Sequence, residues 1–184
     1  IQSLFIILCM ESLLPLTLLI IFFTLVKSIF SASLHKTYHS GKTILLTGAR
    51  GQLGKTFSAK FSTSELQQKF ELVQVGINEL NLSDTNSVTA CLSSYNPSVI
   101  INCGAYTSVD LAEGEKEEAM KVNASAVASI AKWANENQSR MLQISTDFVF
   151  DGKKTAPYSP TDIASPLSVY GETKLLGEKG IFEF

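Results

Sequence analysis

Neither sign of charge is in excess in this sequence, and cysteine is scarce. The 184 residues carry 15 Lys and Arg against 17 Asp and Glu, so bulk electrostatics give no reason to expect a nucleic-acid partner. The three cysteines, Cys9, Cys91 and Cys103, are odd in number and have no metal-ligand spacing. We therefore expect free thiols in a reducing compartment, with no disulfide framework and no metal site.

Long apolar runs are confined to the N-terminal part of the chain. Residues 1–34 carry only Glu11 and Lys27 as charges. A membrane-spanning helix needs about 20 apolar residues, and Glu11 interrupts this run. Three interpretations stay open: a membrane anchor, translated upstream sequence outside the mature protein, and a targeting peptide. An anchor would leave the following domain in the cytoplasm, because Lys27, Lys36 and Lys42 come after it.

The rest of the chain predicts one domain behind a polar linker. Residues 1–40 comprise the apolar segment and this linker, and residues 41–184 form a domain long enough for a sizeable core. The chain begins at Ile1 rather than Met and ends at Phe184 directly after a helical pattern. We therefore expect a fragment.

Strand and helix patterns alternate along this domain. Short apolar or β-branched runs predict strands, and longer runs with helical spacing predict helices. The strands are predicted at 43–47, 71–75, 98–103 and 141–145, and the helices at 52–61, 83–94, 115–137 and 168–179. Such alternation predicts an α/β fold with a doubly wound parallel sheet, which binds ligands beyond the carboxyl ends of its strands.

A glycine-rich turn follows the first predicted strand. Gly48, Gly51 and Gly54 are spaced to give a tight turn, a close approach of backbone to pyrophosphate, and close packing of helix on strand. The following helix would direct its N-terminal N–H groups at the phosphates. The second predicted strand ends without an acidic residue, Glu79 comes late, and Arg50 could meet a 2′-phosphate. This favours NADPH over NADH.

A phenol and an ammonium lie four residues apart near the end of the chain. Tyr170 and Lys174 would therefore be neighbours on one helix face. A nearby ammonium and a ribose hydroxyl would favour the phenolate and position a proton for transfer. Tyr170 would protonate the alkoxide that forms when a carbonyl accepts a hydride. Thr146 or Ser145, after the preceding strand, would hydrogen-bond the carbonyl oxygen.

These motifs resemble the extended short-chain dehydrogenase/reductase superfamily and, within it, the dTDP-4-dehydrorhamnose reductase family. The resemblance rests on LLTGARGQLG (45–54), ELNLSD (79–84), the segment 97–124 with its AYTSVDLAE, STDFVFDG (145–152) and PLSVYGETKLLGE (166–178). It implies a Rossmann-like NAD(P)-binding domain that stops before most of a C-terminal substrate domain. It also implies NAD(P)H-dependent reduction of the C4 keto group of dTDP-4-dehydro-L-rhamnose, a nucleotide sugar.

The resemblance implies roles for residues at matching positions. Cofactor contacts are implied for Gly48, Arg50, Gly51, Gln52, Leu53 and Gly54 at the phosphates, Asn81 and Leu82 at the adenine, Cys103, Gly104, Ala105 and Tyr106 along the adenosine and ribose, and Tyr170 and Lys174. Substrate contacts are implied for Thr107, Val109, Asp110, Thr146, Asp147 and Phe148, and a catalytic triad for Thr146, Tyr170 and Lys174. Asn81 stands where the family commonly has Asp, and Phe148 where it usually has Tyr.

Further points come from the resemblance alone. In the family, an Asn on the matching helix often supports the active-site lysine, here Lys174, through a bound water. For Asn123, both this role and simple packing within the helix remain possible interpretations. Magnesium is associated with the family, although the sequence contains no evident ligand cluster. A homodimer is also left open. The regulatory beta subunit of methionine adenosyltransferase has similar motifs, as do nucleotide-sugar epimerases and dehydratases, but AYTSVDLAE favours the reductase.

Overall fold

A computed structural model describes residues 42–184. The apolar segment 1–34 and the linker therefore lie outside the described residues. So does the part of the chain to which the membrane-anchor interpretation applies. Within residues 42–184, no helix combines the length and apolar character that crossing a membrane requires.

Four parallel strands form the centre of the described domain. They are β1 (Thr43–Thr47), β2 (Glu71–Gln74), β3 (Val99–Asn102) and β4 (Arg140–Gln143), in the order β2-β1-β3-β4. Ile44 of β1 pairs in register with Leu72 of β2 and with Val99 of β3. The chain moves to one side of β1 to form β2 and then crosses to the other side to form β3. The strands are therefore added on opposite sides of β1, and the order of addition reverses between β1 and β3. The crevice in which such sheets bind ligands lies at the carboxyl ends of these two strands.

Helices cover both faces of the sheet. The longer ones are α1 (Gln52–Phe61), α2 (Thr85–Tyr95), α5 (Ala126–Glu136) and α6 (Val169–Phe182), with the short α3 (Val109–Ala112) and α4 (Lys116–Met120) between them. Alternate residues of β1 point to opposite faces. Leu45 joins a core cluster with side chains of α2 and α5, while Ile44 and Leu46 pack with Phe57 of α1. The predicted doubly wound, Rossmann-like fold is confirmed.

Local sequence signals explain where helices begin and end. Asp84 precedes α2, and its carboxylate accepts a hydrogen bond of 2.9 Å from the Asn86 N–H. The helix ends at Asn96, which has the left-handed φ of 42° that Asn tolerates, directly before Pro97. The boundaries differ from the sequence prediction by one or two residues at most elements, as expected where ends fray.

One predicted helix is interrupted. The pattern at 115–137 predicts a continuous helix, but a π-helical turn, Lys121–Ser125, separates α4 from α5. A π turn inserts one residue without breaking the run of helical residues, so sequence periodicity does not reveal it. This turn carries Asn123, a buried polar residue that belongs to the site described below.

Candidate active site

The glycine-rich turn between β1 and α1 has the tight geometry that its sequence predicts. Gly48 has a φ of 60°, and a Cβ at this position would lie 2.6 Å from the Gly104 nitrogen. A Cβ at Gly54 would overlap the Gly48 carbonyl oxygen and lie 2.7 Å from the Cα of Ala49. The turn thus packs directly against the loop after β3. Gly51 begins α1 with no side-chain cap, which leaves the exposed start of this helix to an anion such as pyrophosphate.

Arg50 and Glu79 meet at the end of β2. The Arg50 guanidinium lies 3.5 Å from the Glu79 carboxylate, and that carboxylate accepts a 2.9 Å hydrogen bond from the Gly76 N–H. The sequence interpretation set Glu79 aside because it comes late, but a turn at residues 76–79 brings it back to the strand end. An acidic side chain therefore does lie at the end of β2, next to the glycine turn. The sequence argument for NADPH over NADH relied on Arg50 and on the absence of an acidic residue at this strand end. Glu79 removes the second of these reasons, and Arg50 remains the first.

The remaining predicted adenosine contacts surround the end of β3. Leu82 points its side chain at Gly104, since a Cβ on that glycine would lie 2.5 Å from Leu82 Cδ1. The Asn81 side chain accepts a 3.0 Å hydrogen bond from the Ser83 N–H and so shapes its own turn. Cys103 and Cys91 are free thiols, and burial raises the pKa of Cys103 to about 12 despite the opposing charge of Lys174.

A chain of buried polar groups runs along the carboxyl edge of the sheet. The Gly104 N–H donates to Thr47 Oγ1 at 3.2 Å, and that hydroxyl donates to Asn102 Oδ1. Asn102 Nδ2 donates to Gln143 Oε1 at 2.7 Å, and Gln143 Nε2 donates to the Ile144 carbonyl at 2.8 Å. These bonds join the ends of β1, β3 and β4 into one rigid edge.

Lys174 ends this chain of contacts. Its Nζ donates to the Ile144 carbonyl oxygen at 2.6 Å, and the side chain is 4% exposed. Burial lowers the pKa of Lys174 to about 8, against the opposing effects of Glu178 and Cys103. The ammonium is therefore held at the end of β4 by a backbone carbonyl.

Thr146, not Ser145, is the hydroxyl beside Tyr170. The Thr146 side chain interacts with the Tyr170 phenol, whereas the Ser145 hydroxyl donates to the carboxylate of Glu178, which lies about two turns further along α6. Thr146 Oγ1 also accepts a 3.2 Å hydrogen bond from the Phe148 N–H and so caps the short 3₁₀ turn Asp147–Val149. This turn is what fixes the hydroxyl in place.

Burial raises the pKa of Tyr170, and Asp147 adds to this effect while Thr146 opposes it. The expectation that Lys174 and a cofactor ribose hydroxyl together favour the phenolate stays a prediction. Phe148 packs edge-on against Tyr170, with ring centroids 5.6 Å apart, and is 46% exposed. The phenol is thus a protonated group at the open side of the site.

The N-terminus of α6 is held from two sides. Ser168 Oγ accepts a 3.1 Å hydrogen bond from the Gly171 N–H, and Glu113 Oε1 accepts one of 2.9 Å from the Val169 N–H. Tyr170 lies between these two amides in the first turn of the helix. Glu113 and Val169 are 56 residues apart in the chain, so sequence reasoning missed this contact.

We predict that Ser168→Ala lowers the free energy of unfolding by about 1 kcal/mol, because it removes the helix cap. Chemical denaturation of the variant and of Ser168→Asp, which retains an acceptor, measures the effect. Ser129→Ala on α5 removes only a bond to the Ser125 carbonyl one turn away and is expected to change stability by less than about 0.5 kcal/mol. Equal stability of Ser168→Ala and the wild type would contradict the capping role.

Asn123 ties the loop after β3 to α6. Its Oδ1 accepts from the Tyr106 N–H at 2.9 Å, and its Nδ2 donates to the Tyr106 carbonyl at 3.0 Å and to Thr173 Oγ1 at 3.1 Å. The structure therefore gives Asn123 direct bonds to a backbone and to the neighbour of Lys174. These bonds are more than simple helix packing, and the support of Lys174 by Asn123 through water stays a prediction.

We predict that Asn123→Ala lowers the free energy of unfolding by about 2 kcal/mol, because two polar groups of Tyr106 lose their partners. Asn123→Asp retains an acceptor for the Tyr106 N–H but sets a carboxylate against its carbonyl, so it is expected to be destabilising as well. Asn135→Ala, at an exposed position of α5, serves as the control in the same denaturation experiment. A stability of Asn123→Ala equal to that of Asn135→Ala would contradict the stabilising role of the hydrogen bonds between Asn123, Tyr106 and Thr173.

The predicted substrate residues lie on the exposed side of this edge. Thr107 and Asp110 are exposed and Val109 begins α3, while Tyr106 donates its hydroxyl to Glu115 at 2.7 Å. That hydrogen bond, together with burial and nearby acids, raises the pKa of Tyr106 to about 12. Among residues 42–184, no group of three or more His, Cys, Asp or Glu side chains is arranged to hold a metal ion.

Comparison with known proteins identifies the family. The sequence profile of the RmlD substrate binding domain matches residues 42–183. The chain belongs to the RmlD substrate binding domain family. A dTDP-4-dehydrorhamnose reductase of Aggregatibacter actinomycetemcomitans is 40% identical over 136 residues, which cover 74% of this chain and 45% of that protein. The chain thus spans about half the length of the curated relatives it matches.

A solved structure and a second group of relatives extend this comparison. The dTDP-4-dehydrorhamnose reductase of Bacillus anthracis in complex with NADP is 28% identical, with a TM-score of 0.72 over 80% of this chain and 51% of that one. Methionine adenosyltransferase 2 subunit beta of Rattus norvegicus is 34% identical over 145 residues, covering 77% of this chain and 43% of that protein. The family therefore includes oxidoreductases and is also related to this subunit.

Proposed function

We propose that the full-length protein reduces the C4 keto group of dTDP-4-dehydro-L-rhamnose to give dTDP-L-rhamnose, with Tyr170 as proton donor. The observation that carries the proposal is the placement of Thr146, Tyr170 and Lys174 at one strand end, beside a glycine turn shaped for a dinucleotide. Family membership supports an oxidoreductase, and AYTSVDLAE supports this branch of it.

The glycine turn fits a nicotinamide dinucleotide. Backbone N–H groups of Gln52, Leu53 and Gly54 would hold the pyrophosphate, because the N–H groups in the first turn of a helix have no partner within it. The close packing at Gly48 and Gly54 fixes the turn in this position. Arg50 and Glu79 would lie toward the adenosine ribose, and Cys103 to Tyr106 along the path to the sheet edge. When bound, the reduced nicotinamide supplies a hydride, and NADPH is the form we propose.

The residues of the chain would orient the carbonyl group of the sugar and supply a proton to its oxygen. Thr146 would hydrogen-bond the carbonyl oxygen of the sugar, and the Tyr170 phenol would give its proton to the same oxygen as negative charge develops there. The Tyr170 phenol is protonated at neutral pH, as a proton donor requires, because the ordinary pKa of a phenol is near 10 and burial does not lower it. Lys174, fixed on the Ile144 carbonyl, would place its positive charge near the phenolate that remains.

Substrate binding would involve the exposed residues around this hydroxyl pair. Thr107, Val109 and Asp110 approach from the loop after β3 and from α3, and Asp147 and Phe148 come from the turn after Thr146. Phe148 offers a ring but no hydroxyl, so any polar contact that a tyrosine would make there is replaced by packing against the sugar.

Turnover of the full-length protein tests this proposal. We expect oxidation of NADPH that depends on dTDP-4-dehydro-L-rhamnose, and formation of dTDP-L-rhamnose in equal amount; NADH in a parallel reaction gives the cofactor preference. The relative methionine adenosyltransferase 2 subunit beta provides the competing outcome. Tight NADPH binding without turnover, together with stimulation of a methionine adenosyltransferase, would overturn the reductase proposal.

A further inference from the structure

Three consecutive residues after β4 each contact a different residue on one face of α6. The Ile144 carbonyl accepts from Lys174 Nζ, the Ser145 hydroxyl donates to Glu178 Oε1, and the Thr146 side chain interacts with the Tyr170 phenol. Tyr170, Lys174 and Glu178 are spaced four residues apart, so they form one stripe along the helix. The proposed chemistry uses the first two members of this stripe and leaves Glu178 without a role.

Glu178 and Lys174 are both buried charges. Their exposed fractions are 9% and 4%. An ionised group inside a protein requires an opposite charge or hydrogen bonds, since water no longer solvates it. Lys174 and Glu178 are one helical turn apart on α6, and the Ser145 hydroxyl donates a hydrogen bond to the Glu178 carboxylate.

We infer that Glu178 is a positioning residue that supplies the counter-charge for the buried Lys174 ammonium, and that Ser145 holds it there. Its consequence for catalysis rests on the proposed function, but the pairing itself does not. Without Glu178, the ammonium would keep only the Ile144 carbonyl as a partner among the contacts described above, and the neutral amine would be favoured.

The other groups that face Lys174 do not supply a negative charge at neutral pH. Cys103, in the loop after β3, faces the ammonium, but burial raises its pKa to about 12, so it is a neutral thiol. Thr173 and Asn123, on α6 and the π turn, are neutral. Asp147 lies on the Tyr170 side, where it raises the pKa of the phenol. Burial raises the pKa of Glu178, and the Ser145 hydroxyl and the Lys174 charge oppose this effect.

Titration of Lys174 by NMR tests this inference directly. In the full-length protein with isotope-labelled lysine side chains, Glu178→Gln is expected to lower the pKa of Lys174 by about one unit, because the amide keeps the bond to Ser145 and removes the charge. Ser145→Ala is expected to lower it by a smaller amount. Glu178→Asp restores a carboxylate and is expected to recover part of the shift.

Glu172→Gln is the matched control. Glu172 lies on the same helix, but it is paired with Lys116 at 2.9 Å on the exposed side, so its loss is expected to leave the Lys174 pKa unchanged. If Glu178→Gln does not fold, the wild-type protein still gives an answer. Its Lys174 resonance must then follow the protonation of Glu178 as the pH falls.

A Lys174 pKa that is equal in the wild type, Glu178→Gln and Glu172→Gln would overturn the pairing. A wild-type Lys174 resonance that does not change when Glu178 is protonated would overturn it as well. The titration requires no turnover. A protein that does not reduce the sugar but shows the shift would therefore contradict the proposed function and leave the pairing standing. In an active enzyme, Glu178→Gln is expected to move the pH profile of kcat by the same shift and to change KM little.

Discussion

Tyr170→Phe lowers kcat of the full-length protein for the sugar ketone by about 10²- to 10⁴-fold, the range that a positioned proton donor contributes. The phenylalanine ring retains the edge-on contact with Phe148, whose centroid lies 5.6 Å away, so the site keeps its shape. NADPH affinity is expected to change by no more than a few-fold, since the pyrophosphate site lies on the glycine turn. Steady-state kinetics and a binding titration on the same preparation measure both quantities.

Tyr95→Phe is the matched control, because Tyr95 is a 41% exposed residue at the end of α2. It removes the same hydroxyl from a position away from the sheet edge and is expected to leave kcat unchanged. A Tyr170→Phe variant that turns over at the wild-type rate would exclude Tyr170 as the proton donor. In that case another proton source, such as water, would have to reach the substrate oxygen.

Gly54→Ala weakens NADPH binding by about 30- to 100-fold, equivalent to about 2–3 kcal/mol. The added methyl group would overlap the Gly48 carbonyl oxygen and crowd Ala49 Cα. Both obstacles are backbone atoms, so no side-chain rotation relieves them. The turn must open, and the start of α1 moves away from the position at which its N–H groups would bind phosphate.

Gly114→Ala provides the comparison for this variant. The nearest atom to a Cβ at Gly114 is the Leu111 carbonyl oxygen at 3.8 Å, which is an ordinary contact. Cofactor affinity of Gly114→Ala is therefore expected to equal that of the wild type. Isothermal titration of both variants with NADPH measures the affinity, and thermal unfolding in parallel measures the stability. Together they distinguish a distorted glycine turn from an unfolded protein. Wild-type affinity in a folded Gly54→Ala protein would show that the turn does not bind the dinucleotide.

Sequence patterns predict the sheet because all four strands are short runs with an apolar centre, largely buried in β1, β3 and β4 and more exposed in β2. The four strands and their parallel direction follow from alternation with helices, and the glycine turn follows from its spacing after β1. Local signals of this kind operate over a few residues. The π turn at Lys121–Ser125 is different, because it leaves the run of helical residues unbroken, and its Asn123 contacts a loop that is distant in sequence.

The candidate site was predictable where residues act through neighbours in sequence. Tyr170, Lys174 and Thr146 could be proposed from their spacing and from the strand before them. The choice between Ser145 and Thr146 could not, because both hydroxyls contact α6 and only the structure shows that Thr146 meets Tyr170 while Ser145 meets Glu178. Glu79 and Glu113 were missed for the same reason: their partners, Arg50 and the Val169 N–H, lie far away in the chain.

Glu178 illustrates a signal that the sequence does contain. It stands four residues after Lys174 and eight after Tyr170, so the stripe on α6 is visible in YGETKLLGE. What the sequence does not contain is the burial of this position or its bond to Ser145. Charged residues at helical spacing are commonly solvated, and only the packing of α6 on the strand end distinguishes this one.

The most direct test of the account is to follow the hydride itself. The full-length protein is incubated with dTDP-4-dehydro-L-rhamnose and NADPH deuterated at the nicotinamide carbon that donates the hydride. We predict a dTDP-L-rhamnose product that carries one deuterium at C4 of the sugar, found by mass spectrometry and NMR, and no such product from Tyr170→Phe within the same time. Sugar recovered without deuterium, from a protein that binds NADPH, would contradict the account.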